Sequence, residues 1–423
     1  MWPCLPLLLK LTSSIHKLNN TGPSVYGRRL AKVNSLFDPV EMSQAAQYTP
    51  AGPAQPVKRP GKTRLFLVPA GIVLLLLAIP GGVYVFSQNE LSQAQASEAH
   101  GDYSQALSQF ATVEKVAGNP VSRLLLGEVA DRAQSGTAET HFLWGVALTK
   151  DAKFVDGEAQ LRAAITIGLA DWATRANAAL ADLFTAWGQS LVANKQFQAG
   201  IDKYRLVATV DSTGNLTAAT NAGLATAYAG FAQWYTQQEP ADYPNALTWY
   251  QNLVKEFPDS PEAKQAKASL LPQTLYNAGL AFVQQMRFQQ ARDAMTDLVT
   301  NYPTTTWAPQ ANAALHADQP LTGTLVLSDQ NPTPIANRLV RIATHWKIVK
   351  AHTYDDSGGK IYSTSTDAKG NFKVTMPPGQ NYLITWWDPT RSTFVTTFLS
   401  DNVPVNQITI NALEPAHTTV ATS

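Results

Sequence analysis

Two groups of side chains in the last third of the chain have types that could do chemistry. His345 and His352, with Asp355 and Asp356, are of the kinds that ligate a divalent metal. The two histidines lie seven positions apart across what reads as strand and loop, so their spacing fixes no ligand geometry, and exposed loop polarity is the ordinary reading. Trp386-Trp387 with Asp388 could offer an aromatic platform to a sugar. Neighbouring strand residues face opposite ways, which puts one tryptophan in a core and the other at a surface. A metallopeptidase needs His-x-x-Glu or His-Glu-x-x-His, and neither occurs. Gly-x-Ser-x-Gly, Gly-x-Gly-x-x-Gly and phosphate-loop patterns are absent as well. The sequence therefore predicts no enzyme, no catalytic residue, no metal site and no cofactor.

Charge narrows the partners. The chain has 32 Lys+Arg against 31 Asp+Glu, so no global basic field points to nucleic acid. Residues 91–318 hold 15 basic and 21 acidic side chains, which also argues against DNA or RNA binding. The single cysteine, Cys4, excludes an intrachain disulfide. For an external domain of this size that favours a bacterial or archaeal surface.

The elements that must position these residues begin with an apolar run, Leu65 to Phe86. It is entered through Lys58, Arg59, Lys62 and Arg64 and left through Ser87-Gln88-Asn89-Glu90. Its length suits a bilayer core of roughly 30 Å, and the one-sided positive charge predicts a cytoplasmic N-terminus. The expectation is an uncleaved signal anchor, with residues 1–64 a disordered cytoplasmic segment, 65–86 a transmembrane helix and everything after it extracytoplasmic. Residues 1–41 differ in texture from the tail that follows, so Met42 is read as the true start. Cys4 precedes its apolar patch and so is no lipid-anchor site.

From Leu91 to Asp318 the chain is rich in Ala, Leu and Gln, and four stretches align. They are Tyr103-x-x-Ala106-x-x-x-Phe110, Phe197-x-x-Gly200-x-x-x-Tyr204, Tyr243-x-x-Ala246-x-x-x-Tyr250 and Phe288-x-x-Ala291-x-x-x-Met295. Spacings of three and four put an aromatic, a small and a large residue on one helix face. Pro258 and Pro303 lie twelve residues past their small positions, and Gly188 and Gly279 twelve before. A weaker copy near Trp144-Gly145 and Phe154 has Ala159 out of register and reads as degenerate.

This pattern resembles the tetratricopeptide repeat, and the resemblance implies a helical solenoid over 91–318. Pro258 to Gly279 spans 21 residues, more than the family's pattern. The excess is close to three helical turns, so either the first helix is extended or Pro272 splits it. The concave face of such arrays binds peptides or proteins. Carried over by offset from its glycines, the groove positions are Asp182, Thr185, Gln189, Val192 and Ala193 in one repeat. In the last they are Gln273, Tyr276, Leu280, Val283 and Gln284. None is Lys, Arg or Asn, which speaks against a clamp for a C-terminal carboxylate.

After Pro320 the texture changes to Val, Ile, Thr and aromatic alternation with frequent turn residues, which argues short strands. Gly323 to Leu327 and Arg338 to Ile342 read as strands. Thr366-Asp367-x-x-Gly370-x-Phe372 reads as a turn feeding a third, and Pro377-Pro378-Gly379 leads to Tyr382. Asp367 can accept backbone hydrogen bonds while Gly370 supplies positive φ; Phe372 and Tyr382 should point inward. The order resembles the carboxypeptidase regulatory-like domain, with one extra residue between Gly379 and Tyr382. It implies a transthyretin-type β sandwich over 320–415, followed by a tail, 416–423.

The overall expectation is a multi-domain chain: one transmembrane helix, an all-α solenoid, then a small all-β sandwich. It would be a membrane-anchored scaffold that binds other envelope proteins through its groove. The alternative is a structural or adhesive surface protein, with a helical stalk and a β domain that contacts glycan or wall polymer. An accessory subunit of an envelope enzyme is a third reading, hard to separate from the first.

Overall fold

The computed structural model describes residues 67–422 apart from 119, 328, 329, 331, 401 and 402, with side chains from residue 81 onward apart from 121. The readings of Met42, of Cys4 and of the segment 1–64 lie outside the described residues. Helices occupy the first part: α1 (Leu67–Ala99), α2 (Tyr103–Ala117), α3 (Pro120–Lys150), α4 (Phe154–Thr166), α5 (Ala170–Ala193) and α6 (Phe197–Val210). They continue with α7 (Thr217–Thr236), α8 (Tyr243–Glu256), α9 (Pro261–Gln265), α10 (Leu271–Gln284), α11 (Phe288–Asn301) and α12 (Ala308–His316).

The helices pair as hairpins, α1 with α2, α3 with α4, α5 with α6, α7 with α8 and α10 with α11. Four of these hairpins share one three-residue turn whose middle residue is left-handed: Gly101 (φ 82°), Ala152 (57°), Lys195 (60°) and Met286 (57°). The aromatic that opens the second helix follows two residues later. Each second helix then buries one stripe, for example Ala106, Phe110, Val113 and Ala117 in α2. In α11 it is Ala291, Ala294, Met295 and Leu298. Pro258 and Pro303 stand two residues past the ends of α8 and α11, where a ring without an N–H cannot continue the helix.

The stretch between Pro258 and Gly279 combines both sequence expectations. Helix runs from Pro261 to Gln284, but residues Ala266–Leu270 form a π turn that ends two residues before Pro272. Proline at that place lacks a donor and would press on the carbonyl four residues back; one widened turn relieves both.

The expected membrane span is corrected. Among the described residues no helix is long and apolar enough to cross a membrane. The apolar run instead opens a helix that continues unbroken to Ala99. Val83, Ser87, Leu91 and Ala94 lie three and four apart along it; the last three are buried, and Val83 packs against the Leu91–Phe110–Val113 cluster. That stripe meets α2 and α3, whereas Tyr84, Val85 and Phe86 are exposed. The N-in single-pass topology, the cell-membrane placement and the transmembrane helix in the fold class fall with that finding.

The β region has strands β1 (Gln319–Val326), β2 (Leu339–Ala343), β3 (Lys347–Lys350), β4 (Thr353–Asp355), β5 (Ile361–Ser365) and β6 (Asn371–Met376). Then come β7 (Gly379–Asp388), β8 (Thr393–Val395), β9 (Phe398–Ser400), β10 (Val403–Pro404), β11 (Gln407–Ile410) and β12 (Ala416–Ala421). One sheet has the order β12-β1-β6, the other β11-β7-β2-β5 with β8 on β7; β3–β4 and β9–β10 are separate pairs. Leu321, Leu325, Phe372, Met376 and Val420 from the first sheet meet Val340, Ile342, Tyr382, Ile384, Trp386 and Ile410 from the second. Two sheets sharing one core make a sandwich. Residues 416–421, read as tail, are its strand β12, parallel to β1 in register Leu321↔Ala416 to Val326↔Ala421.

Candidate functional site

Along the array α1, α3, α5 and α7 touch one another in succession, whereas α2, α4, α6 and α8 meet chiefly the helices of their own and the next pair. The first helix of each pair therefore belongs to one continuous row. What sets the spacing within pairs is glycine opposite a large side chain. An ideal Cβ on Gly188 would lie 3.1 Å from the Tyr204 ring, and one on Gly279 would lie 2.9 Å from Met295 Cγ. Gly145 stands in the same relation to Leu161, 2.6 Å from its Cγ. That identifies Phe154-x-x-Gly157-x-x-x-Leu161 as a full copy in register: Gly157 is the small residue, not Ala159, and both it and Leu161 are buried.

The expected groove residues divide by burial. Asp182, Gln189, Ala193, Gln273, Leu280 and Gln284 are exposed. Thr185 is half-buried, and its hydroxyl donates to its own helix at Ala181 O, 2.9 Å. Val192 and Val283 pack on the core. Tyr276 also packs inward, its ring 5.4 Å from that of Trp307, so it braces the start of α12. The Asp182 carboxyl is pushed above the usual range by partial desolvation and by the charge of Asp211. Asp211 itself is held low by the Thr213 hydroxyl and by backbone N–H groups of Leu216, Thr213 and Gly214.

Sequence reasoning missed the corresponding positions on α3. Counted from Gly145 by the same offsets, they include Glu139 and Phe142. The Phe142 ring lies 5.7 Å from Trp172, and the Arg175 guanidinium sits over both, 4.9 and 4.2 Å from their centroids. The signal that could have found them is Gly157, three residues after Phe154. The opening aromatics also have a role the pattern alone does not state. Tyr103 stacks on Trp144, Phe154 on Trp187 and Phe197 on Phe231, each on the first helix of the next pair. They fasten pair to pair.

On the opposite side, α8 and α11 flank a cleft of about 620 Å³. Its carboxylates are already served by neighbouring amides: Asp242 by Asn245, Asp293 by Gln289 and Asp297 by Asn301.

Residues 273–305 match the tetratricopeptide repeat. The match covers α10 from Gln273, all of α11 and Pro303. A search of curated proteins finds nothing that matches. Similar solved structures include YrrB, a tetratricopeptide repeat protein with an unusual peptide-binding site. It is 12% identical with a TM-score of 0.19, over 53% of this chain and 90% of that one. Another is the C-terminal part of a tetratricopeptide repeat-containing protein from Cytophaga hutchinsonii, at 15% identity and TM-score 0.18, over 52% of this chain and 98% of that one. (S)-Allantoin synthase is also similar, at 13% and 0.20, over 58% and 93%. Overlaps this loose carry no argument about what the chain does.

In the sandwich, the residues first singled out for chemistry separate into two sets. His352, Asp356, Trp386, Trp387 and Asp388 line one cleft of about 940 Å³. His345 and Asp355 lie outside its lining: His345 packs beside Gly359, and Asp355 pairs with Lys347 at 3.4 Å. Among the described residues no group of three or more His, Cys, Asp or Glu is placed to hold a metal. The strand alternation argument meets a central strand here. Tyr382 to Trp386 are all buried because β7 is covered on both faces, and Trp387 is half-buried.

The remaining signature residues are structural. Asp367 accepts from the N–H groups of Lys369 and Asn371, each at 2.8 Å, and Gly370 has φ 75°. The Phe372 ring lies across Gly323, its cross-strand partner, where any Cβ would collide with it. The Tyr382 hydroxyl reaches back over Gly379 and donates to the carbonyls of Pro377 and Pro378.

Proposed function

We propose that this chain is a non-enzymatic scaffold that takes an extended segment of another protein along the concave face of its helical array. The observation that carries the reading is the pair of exposed stripes on the first helices of two pairs. Asp182 and Gln189 lie on α5; Gln273, Leu280 and Gln284 lie on α10, within the segment that matches the tetratricopeptide repeat. Exposed side chains at seven- and four-residue spacing form one ridge along a helix. Glutamines can both donate to and accept from a peptide backbone, and Leu280 adds an apolar contact. With no Lys, Arg or Asn among these positions, the groove would read shape and backbone and not a terminal carboxylate. We take the sandwich, by the order of Gly323, Asp367, Gly370, Phe372, Gly379 and Tyr382, as a transthyretin-type domain like the carboxypeptidase regulatory-like one, placed to close the end of the array. The expectation of envelope partners depended on the membrane span and is not carried forward.

The test is affinity capture with the full chain beside a Leu280→Arg/Gln284→Arg variant, with bound proteins identified by mass spectrometry. Both side chains are exposed, so the variant should melt as the wild type does. A partner held by the wild type and lost by the variant is the expected result. Identical recoveries from both would remove the groove from the proposal.

A further inference from the structure

We propose that the sandwich carries a saccharide-binding site in the cleft formed by β4, β7 and β8, and that it favours a saccharide bearing a carboxylate. The cleft volume of about 940 Å³ is in the range of small-molecule sites, roughly 300–1,000 Å³. Its aromatic and charged groups are fixed before any ligand arrives. The Arg341 guanidinium pairs with Asp356 at 3.2 Å and lies over the Phe394 ring, 4.3 Å from its centroid. Phe394 in turn meets Trp387 edge to face at 5.2 Å. Asp388 accepts from the Thr390 N–H and hydroxyl and pairs with Arg391 at 3.5 Å.

The ligand class follows from what such a lining can satisfy. A wholly apolar ligand would leave the Arg338 guanidinium unsatisfied and would strip water from the Arg341–Asp356 and Arg391–Asp388 pairs, which is costly. A nucleic-acid strand is held mainly by neutralising many phosphates, and Arg338, Arg341 and Arg391 exceed Asp356 and Asp388 by one charge only. An extended peptide is held mainly by backbone pairing along a strand edge, whereas the fixed polar groups of this cleft are charged side chains. A sugar ring fits: its C–H face can lie on Trp387, and its hydroxyls can bridge fixed carboxylate and guanidinium groups in charge-assisted bonds. The excess charge has a location. Arg338 lines the cleft half-buried, and among the described residues no carboxylate lies within ion-pair distance of it. It is the group left to receive the carboxylate of an acidic sugar.

The experiment is calorimetric titration of the full chain with trigalacturonate and, separately, with maltotriose. The variants are Trp387→Ala and Arg338→Gln, with melting checked for each. Trigalacturonate should bind more tightly than maltotriose. Arg338→Gln should remove that preference, weakening the acidic sugar about tenfold and leaving the neutral one unchanged; Trp387→Ala should weaken both. Arg338→Gln, at a half-buried position with no ion pair to break among the described residues, keeps the test valid if Trp387→Ala fails to fold. No heat with either sugar, or affinities that Arg338→Gln leaves unchanged, would overturn the proposal. Neither outcome bears on the helical groove, so the two readings stand or fall separately.

Discussion

At Gly145 an added methyl group would sit 2.6 Å from Leu161 Cγ and 3.1 Å from the Gly157 carbonyl oxygen. Leu161 is fully buried, so it has little room to yield. Alanine gains about 1 kcal/mol over glycine in a helix, but overpacking a core costs about 1–3 kcal/mol. Gly145→Ala should therefore lose about 1 kcal/mol net, read as a lower midpoint in urea at unchanged slope. Gly101 fails for a different reason. Nothing lies within 4 Å of its would-be Cβ, yet its φ is 82°, and the left-handed region costs an L residue about 1–2 kcal/mol. Gly101→Ala should destabilise by about 1 kcal/mol once the gain from a stiffer unfolded chain is subtracted. The discriminating variant is Gly101→Asn, because asparagine tolerates this region: it should recover part of the loss, and an asparagine as poor as alanine would refute the backbone explanation.

The elements were legible where a period of three and four exposes a face. Tyr103, Phe197, Tyr243 and Phe288 each open a helix because aromatic, small and large residues recur at zero, three and seven. The copy at Phe154 was hidden by the choice of Ala159 over Gly157, which lie two residues apart and so on different faces. The apolar run was read by its own hydropathy, which cannot say that the helix it begins continues into the array with Leu91 and Ala94 against α2 and α3. Strand β12 was illegible for another reason. Ala416-His417-Thr418-Thr419-Val420-Ala421 has one large apolar residue, and what orders it is β1, about 95 residues away in sequence. Offsets from Gly188 and Gly279 found positions that are mostly exposed, but nothing local shows that Tyr276 leans on Trp307. The α7–α8 hairpin departs from the shared turn, with a longer connection, 237–242, in place of three residues. Among the described second helices of the hairpins, α8 is the one with a side-chain cap: Asp242 accepts from the Asn245 N–H at 3.1 Å. Asp242→Ala should cost about 1 kcal/mol, whereas Lys153→Ala, at the equivalent place before α4 and without a cap bond, should cost little. Equal losses in thermal melts would mean that the cap does not hold this hairpin.

Across the whole molecule, the described residues from Leu67 onward form one unit, yet among them no helix packs broadly on any strand of the sandwich. The chain passes from α12 to β1 through Ala317 and Asp318 alone, and the loop between β11 and β12 reaches back to the helices. There Leu413, left-handed at φ 66°, packs on the helical core. Arg292 of α11 donates to the Ala412 carbonyl at 3.2 Å and pairs with Glu414 at 2.9 Å. A partly exposed ion pair contributes about 0.5–1 kcal/mol, the carbonyl bond about 1 and a half-buried leucine about 1. The seam is thus worth about 3 kcal/mol, less than the 5–15 kcal/mol that holds a typical domain folded. Removing it should leave both parts folded but no longer obliged to melt together. In scanning calorimetry the wild type should give one transition with equal calorimetric and van't Hoff enthalpies, the mark of a single cooperative unit. Arg292→Ala/Leu413→Ala should split it, with a van't Hoff enthalpy below the calorimetric one. Two transitions already present in the wild type would show that this seam couples nothing, and a single transition in the double variant would place the coupling at the Ala317–Asp318 junction instead.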